Sequence, residues 1–174
     1  DQITQDVCIN GNAVTFAVFA GSVYGMNDVT HLGLQDIPML NSIPGLIYLA
    51  PVTKEDYIAM LDWSLTQNEY PVAIKVPGTP VEIMLPPGTL IATGVPVTKD
   101  FSKLDTYEIT KKGSRVAILG LGTFYETAVK AANILKTSHG IDATVINPYY
   151  ISGIDADTLN ELKKDHAVVA TLED

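Results

Sequence analysis

The feature that most constrains this chain is a recurring order: a short apolar run, a capped amphipathic stretch, then another short apolar run. It is clearest toward the C-terminal end. There "RVAILGLG", "DATVINPYY" and "HAVVATLED" alternate with "TFYETAVKAANILKTSHG" and "DADTLNELKKD". Runs that are apolar at consecutive rather than alternate positions belong to strands buried on both faces, the condition of a parallel sheet. The order strand, helix, strand, helix, strand is that of an open α/β sheet, with the last run read as a core strand. Thr123 with Glu126 three residues on reads as a capping box for the first helix, and Gly140 closes it.

The same order occurs upstream. "AVTFAVF" (13–19), "LIYLAP" (46–51) and "PVAIKV" (71–76) read as buried strands. Between the first two, "DIPMLNSIPG" reads as a short helix capped by Asp36, with Pro38 in its first turn and Pro44-Gly45 ending it. Between the last two, "TKEDYIAMLDWSL" reads as an amphipathic helix. Thr53 and Asp56 form its capping box, and Tyr57, Met60, Leu61, Ser64 and Leu65 share one face. Strand, helix and strand then imply a parallel, right-handed crossover. Residues 77–96 are rich in Pro and Gly and read as loops with a hairpin.

The fold class expected is therefore α/β, with two open α/β units. One spans residues 1–97, the second 106–174, and a polar linker at 98–105 runs into an edge strand. "DQITQDVCI" opens with helical character and "HAVVATLED" stops on a strand. Both ends fall inside elements, so a fragment of a longer protein is expected, each unit incomplete.

Composition narrows the partners. Of the 174 residues, 47% are hydrophobic and 18% charged, a normal globular balance. The formal charge of −9 argues against a nucleic-acid surface, which needs clustered Lys and Arg. Cys8 is alone, so neither a disulfide framework nor a Cys-based metal site is expected within the chain. No apolar run reaches the roughly 18 residues needed to span a bilayer, and no secretory leader is visible. No membrane partner and a cytoplasmic location are expected.

The candidate site is "GMNDVTHLGLQD" (25–36). His31 lies in a loop directly after a buried strand, the usual place for function in an α/β sheet. Asn27, Asp28 and Thr30 are near enough in sequence to orient its ring. Taken alone, a polar loop with one histidine is the plainer reading. "GLGTFYE" lacks the third glycine of a dinucleotide loop and the lysine of a P-loop, so it reads as a tight turn. His139 at a helix end and His166 at a strand start read as structural or exposed. Glu173 and Asp174 end a strand where α/β folds keep ligands.

Whole segments carry more. "DVTHLGLQDIPMLNSIPGLIYLAPVTKEDY" resembles the thiamine-diphosphate-dependent transketolase superfamily, in which a Gly-x-Asp-Gly-x-Thr-His-x-Gly loop precedes an Asp, a short helix and an "AP" strand end. "PVAIKVPG" is similar to the next strand of that superfamily's pyrimidine-binding domain. The stretch from "GSRVAILGLG" to "TLED" resembles its C-terminal domain. "ATVINP" and "TLED" are most similar to the 1-deoxy-D-xylulose-5-phosphate synthases. The resemblance implies a partial pyrimidine-binding domain followed by a partial C-terminal domain.

It also implies a transferase that joins pyruvate to glyceraldehyde 3-phosphate with loss of carbon dioxide, serving isoprenoid, thiamine and pyridoxal biosynthesis. His31 becomes the catalytic residue, acting on a substrate oxygen, while Asn27, Asp28, Thr30 and Lys75 become substrate-binding residues. The carbon–carbon chemistry belongs to the cofactor. Thiamine diphosphate and Mg2+ are implied for the full-length parent, a homodimer acting on small molecules. The family's Gly-Asp-Gly…Asn motif and its pyrimidine-binding glutamate have no counterpart in this chain. No tight cofactor binding is therefore expected of the fragment, which by itself would be inactive.

Four positions depart from the family pattern. Asn27 stands where the family has Asp, Asp28 where it has glycine, and Ala20 where it has arginine. A second arginine is missing, because Val76-Pro77 runs straight into Gly78. Lys75 is the nearest cation, a point charge in place of a planar fork. Two enzyme readings sit beside the synthase: a transketolase, or the beta subunit of a 2-oxo acid dehydrogenase decarboxylase. A third reading is an inert relative kept for assembly or sensing.

Overall fold

The computed structural model describes residues 1–19, 33, 35–76 and 99–173. The chain divides into two compact units, Asp1–Leu104 and Asp105–Asp174. The expected loops and hairpin at 77–96 lie outside the described residues.

In the first unit a helical turn at Ile3–Cys8 precedes strand β1 (Thr15–Val18), helix α1 (Asp36–Asn41), strand β2 (Ile47–Leu49), helix α2 (Lys54–Thr66) and strand β3 (Val72–Lys75). Among the described residues the strands form a parallel sheet in the order β1-β3-β2. β3 is central and all four of its residues are buried, as a continuous apolar run requires. β1 departs from the expected two-faced burial. It lies at the edge, Ala17 faces solvent, and Phe19 just beyond it is 71% exposed.

α2 starts as its sequence implies. The Thr53 hydroxyl accepts from the Asp56 N–H at 3.1 Å, and Asp56 Oδ2 accepts from the Thr53 N–H at 2.9 Å. The buried face differs from the hydrophobic expectation. Asp56, Ala59, Met60 and Ser64 make the inward stripe together with Ile58, while Leu65 is 67% exposed. The stripe begins at a carboxylate, which a hydrophobic pattern does not register. Asp56 tolerates burial because Val52, Thr53 and Lys99 all donate to it.

α1 carries a second correction. Asp36 is its first helical residue rather than its cap; Gln35 holds that position and makes no side-chain cap bond. The Asp36 carboxylate is used elsewhere, as described below.

The second unit contains strand β4 (Glu108–Lys111), strand β5 (Arg115–Gly120), helix α3 (Tyr125–His139), strand β6 (Thr144–Asn147), helix α4 (Ala156–Leu162) and strand β7 (His166–Leu172). The order across the sheet is β4-β6-β5-β7, with β4 an antiparallel edge and the rest parallel. The alternation of β5 sorts the core into two faces. Ile118 packs with Ala128, Ala132, Ala143 and Val145, whereas Ala117 and Leu119 pack with Ile146 and Leu162. β7, expected in the core, is instead an edge strand among the described residues, with Val168 53% and Val169 48% exposed.

The capping box expected from Thr123 and Glu126 does not form. A 3-10 turn at Gly122–Phe124 delays the helix, so α3 begins past Thr123 with Phe124 at its cap and no side-chain bond there. Thr123 Oγ1 is buried without a hydrogen-bond partner among the described residues, and Glu126 faces solvent near Lys130. The far end behaves as expected: Gly140 adopts φ 65° and its N–H reaches the Leu135 and Lys136 carbonyls.

Gly120 explains why α3 can lie so close to β5. A Cβ there would sit 2.7 Å from Tyr125 Cα and 2.8 Å from Ala128 Cβ, and the first of these is backbone that cannot swing aside. Gly120→Ala should therefore lower the stability of the second unit by about 1–3 kcal/mol, the scale of core overpacking. Urea unfolding of the variant against the parent checks this.

Candidate functional site

In α/β sheets, ligands gather beyond the C-terminal ends of the parallel strands. In the first unit that end is marked by a polar cluster on otherwise apolar strands. The register pairs Tyr48 of β2 with Ala73 of β3. Lys75, two residues on from Ala73, projects from the same face as Tyr48. Both side chains reach Asp36 at the start of α1.

The Tyr48 hydroxyl donates to Asp36 Oδ2 at 2.6 Å, and Lys75 Nζ lies 3.3 Å from the same oxygen. Tyr48 is fully buried, and Asp36 and Lys75 are only 8% and 7% exposed. Burial first, then the hydrogen bond to Asp36 and its negative charge, push the Tyr48 phenol well above its usual range. Tyr48 is thus a fixed hydrogen-bond donor and not a base. An ion pair at this separation gains roughly 5 kcal/mol at an effective dielectric of 20, and desolvating both ions offsets much of that. Asp36 Oδ1 is buried and has no hydrogen-bond partner among the described residues.

Of the residues singled out in the sequence, Lys75 belongs to this cluster. His31, Asn27, Asp28 and Thr30 lie outside the described residues, as do Ala20, Pro77 and Gly78. Sequence reading missed Tyr48 and the inward role of Asp36. One signal was available: a lysine inside the apolar run "PVAIKV" demands a buried counterion.

The second unit holds a different polar group. His166 Nδ1 lies 2.7 Å from Asp165 Oδ1 and 3.2 Å from the Leu162 carbonyl, and its Nε2 lies 2.7 Å from Thr144 Oγ1. The order acid, imidazole, hydroxyl resembles a nucleophilic triad. However, Thr144 is 2% exposed and its oxygen already accepts from the Gly113 N–H at 2.9 Å. A hydroxyl so enclosed has no access to a substrate, and the group ties β6, β7 and the end of α4 together. His139 is exposed at the end of α3, and Glu173 is exposed beyond β7.

Among the described residues no group of three or more His, Cys, Asp or Glu could hold a metal ion. A shallow cavity of about 370 Å³ beside Trp63 has its cation, Lys99, paired with Asp56 at 2.7 Å.

The cluster makes an ordered prediction. Tyr48→Phe removes one donor from a buried carboxylate and should cost about 1–3 kcal/mol. Asp36→Ala removes the carboxylate that faces a buried ammonium and a buried phenol and should cost more, about 3–5 kcal/mol. Equilibrium unfolding of the two variants, followed by the fluorescence of Trp63 on α2, gives both values and their order.

The comparisons agree with this architecture. Residues 105–174 match the family model for the transketolase C-terminal domain. The whole chain aligns with curated 1-deoxy-D-xylulose-5-phosphate synthases. It is 34% identical over 176 residues to that of Clostridium acetobutylicum and 32% over 174 residues to one from Clostridium botulinum. In both cases the alignment covers 100% of this chain and 26% of the relative, so the chain spans about a quarter of their length.

Among solved structures, a split gene transketolase in the form of an inactive beta4 tetramer superposes with a TM-score of 0.75 at 21% identity. That match covers 99% of this chain and 52% of the other. A transketolase mutant from Pichia stipitis superposes with a TM-score of 0.67 at 14% identity, covering 95% of this chain and 24% of the other. Such identities speak for the fold, which is the α/β architecture described. Along all of its own length the chain is similar to 1-deoxy-D-xylulose-5-phosphate synthases, and its residues 105–174 match the transketolase C-terminal domain.

Proposed function

We propose that this chain supplies the pyrimidine-binding and C-terminal portions, residues 1–97 and 106–174, of a transferase of the 1-deoxy-D-xylulose-5-phosphate synthase type. In this reading the complete enzyme joins pyruvate, with loss of carbon dioxide, to glyceraldehyde 3-phosphate. The observation that carries the reading is identity of 31–34% to curated synthases through the full length of the chain. The transketolases that share its fold are more distant in sequence, at 14–21% identity.

Thiamine diphosphate with Mg2+ supplies the carbon–carbon bond chemistry when bound, and its metal and diphosphate are held by parts of the enzyme outside this chain. The residues proposed to act from this chain are His31, which exchanges a proton with a substrate oxygen, and Asn27, Asp28 and Thr30, which hold substrate and ring in register. The working enzyme is a cytoplasmic homodimer. Among the described residues no helix is long and apolar enough to cross a membrane.

Two measurements test this. Isothermal titration of the 174-residue chain with thiamine diphosphate and Mg2+ should show no tight binding. Sub-micromolar affinity would overturn the claim that the cofactor site lies elsewhere. In the complete enzyme, whether one chain or two, His31→Ala should lower kcat by about 100-fold or more, the scale of a lost acid–base group. Unchanged turnover would remove His31 from the mechanism.

A second reading has specific support. Asn27, Asp28, Ala20 and Gly78 replace the family's acid, glycine and arginines, and a similar fold occurs in a protein described as an inactive beta4 tetramer. An inert relative would release no carbon dioxide from pyruvate in the presence of glyceraldehyde 3-phosphate. A transketolase would instead transfer a two-carbon unit from a ketose phosphate. The same assay with both substrate pairs separates all three.

A further inference from the structure

We propose that Lys75 is a positioning residue and not a ligand of the substrate's phosphate. Through Asp36 it holds the first turn of α1, the element that begins five residues after His31 in the chain. The inference rests on the reading above, in which His31 serves the reaction.

The first support is the burial of the cation. Lys75 is 7% exposed, with Nζ 3.3 Å from Asp36 Oδ2. A lysine that grips a phosphate must present its head group to the ligand. Here that movement would strip a counterion from a carboxylate that is itself 8% exposed, a strongly unfavourable exchange.

The second is the dependence of α1 on that carboxylate. With six residues and no side-chain cap, α1 is far too short to hold itself by its own hydrogen bonds. Its first residue is tied to β2 through Tyr48 and to β3 through Lys75, and these strands pair with each other in register. The first turn of α1 is thereby fastened to β2 and β3.

The third is a contrast within the same unit. Asp56 is also buried, but both its oxygens are engaged: Oδ2 by the Val52 and Thr53 N–H groups, Oδ1 by Lys99. It is a finished structural ion pair. Asp36 has one oxygen engaged twice and the other buried without a partner among the described residues. A purely structural carboxylate is expected to be filled on both sides. The incomplete one sits at the strand ends, where α/β folds do their chemistry.

The test uses the complete enzyme carrying Lys75→Met, Lys75→Arg, His31→Ala, and Lys75→Met combined with His31→Ala. Lys75→Met should lower kcat about tenfold while leaving KM for glyceraldehyde 3-phosphate within about twofold. Lys75→Arg, which keeps a cation for Asp36, should recover most of that loss. The double variant should be no slower than His31→Ala alone, because a residue acting through another adds nothing once the other is gone. A rise in that KM of about tenfold or more with kcat unchanged would make Lys75 a phosphate ligand and overturn the proposal.

Hydrogen exchange gives a readout that needs no activity. In the 174-residue chain, Lys75→Met should speed exchange of the α1 amides about tenfold, with β5 and β6 of the second unit as internal control. Unchanged α1 exchange would overturn the proposal whatever the kinetics. An inactive parent enzyme with accelerated α1 exchange would instead overturn the functional reading and leave the anchor standing. If Lys75→Met fails to fold, Tyr48→Phe is read by the same exchange measurement, with the same two outcomes.

Discussion

A parallel strand at the centre of a two-sided sheet has no solvent to face, and most of this structure follows from that constraint. β3 is buried at every residue, as is β6. Such strands have to be apolar at consecutive positions, and the connections between them have to cross over the sheet. The crossovers need helices with small residues where they approach the strands. Ala128, which faces Gly120 on β5, and Ala132, which packs with Ile118 and Val145, meet that need in the second unit. Where a strand has a neighbour on one side only among the described residues, as in β1 and β7, the burial relaxes and apolar side chains are exposed.

The same constraint gives the few buried polar groups their meaning. Placing Lys75 on a fully buried strand is tolerable only with a carboxylate close by, and Asp36 meets that need together with Tyr48. The cluster lies toward the C-terminal ends of β2 and β3, with Tyr48 in register with Ala73 and Lys75 in register with Val18. In the second unit His166 and Thr144 lie at the opposite ends, the starts of β7 and β6, where they join elements. Similar residue types therefore do different work according to which end of the strand they occupy.

Much of the fold was legible because it depends on local rules. The Thr53–Asp56 box, the Gly140 closure and the polar run leading into edge strand β4 each follow from a few neighbouring residues. The misreadings share a cause. Thr123 and Glu126 have the spacing of a capping box, but the close packing of Gly120 against Tyr125 comes with a 3-10 turn that carries the helix start past them. Asp36 looks like a cap because Asp before a helix usually is one, and it points inward because Lys75, far along the chain, needs it. The inward stripe of α2 starts at Asp56, which a hydrophobic pattern passes over.

The sequence by itself determined the fold class, the alternation of strands and helices and the family resemblance, because apolar periodicity and motif order are properties of neighbouring residues. It also singled out Lys75 without supplying its partner. Only the tertiary structure decided that Asp36 and Tyr48 gather at Lys75, and that β1 and β7 are edges among the described residues. Pairing between residues dozens of positions apart depends on strand order and register. Those are set by the burial of whole faces, and no short window of sequence contains them.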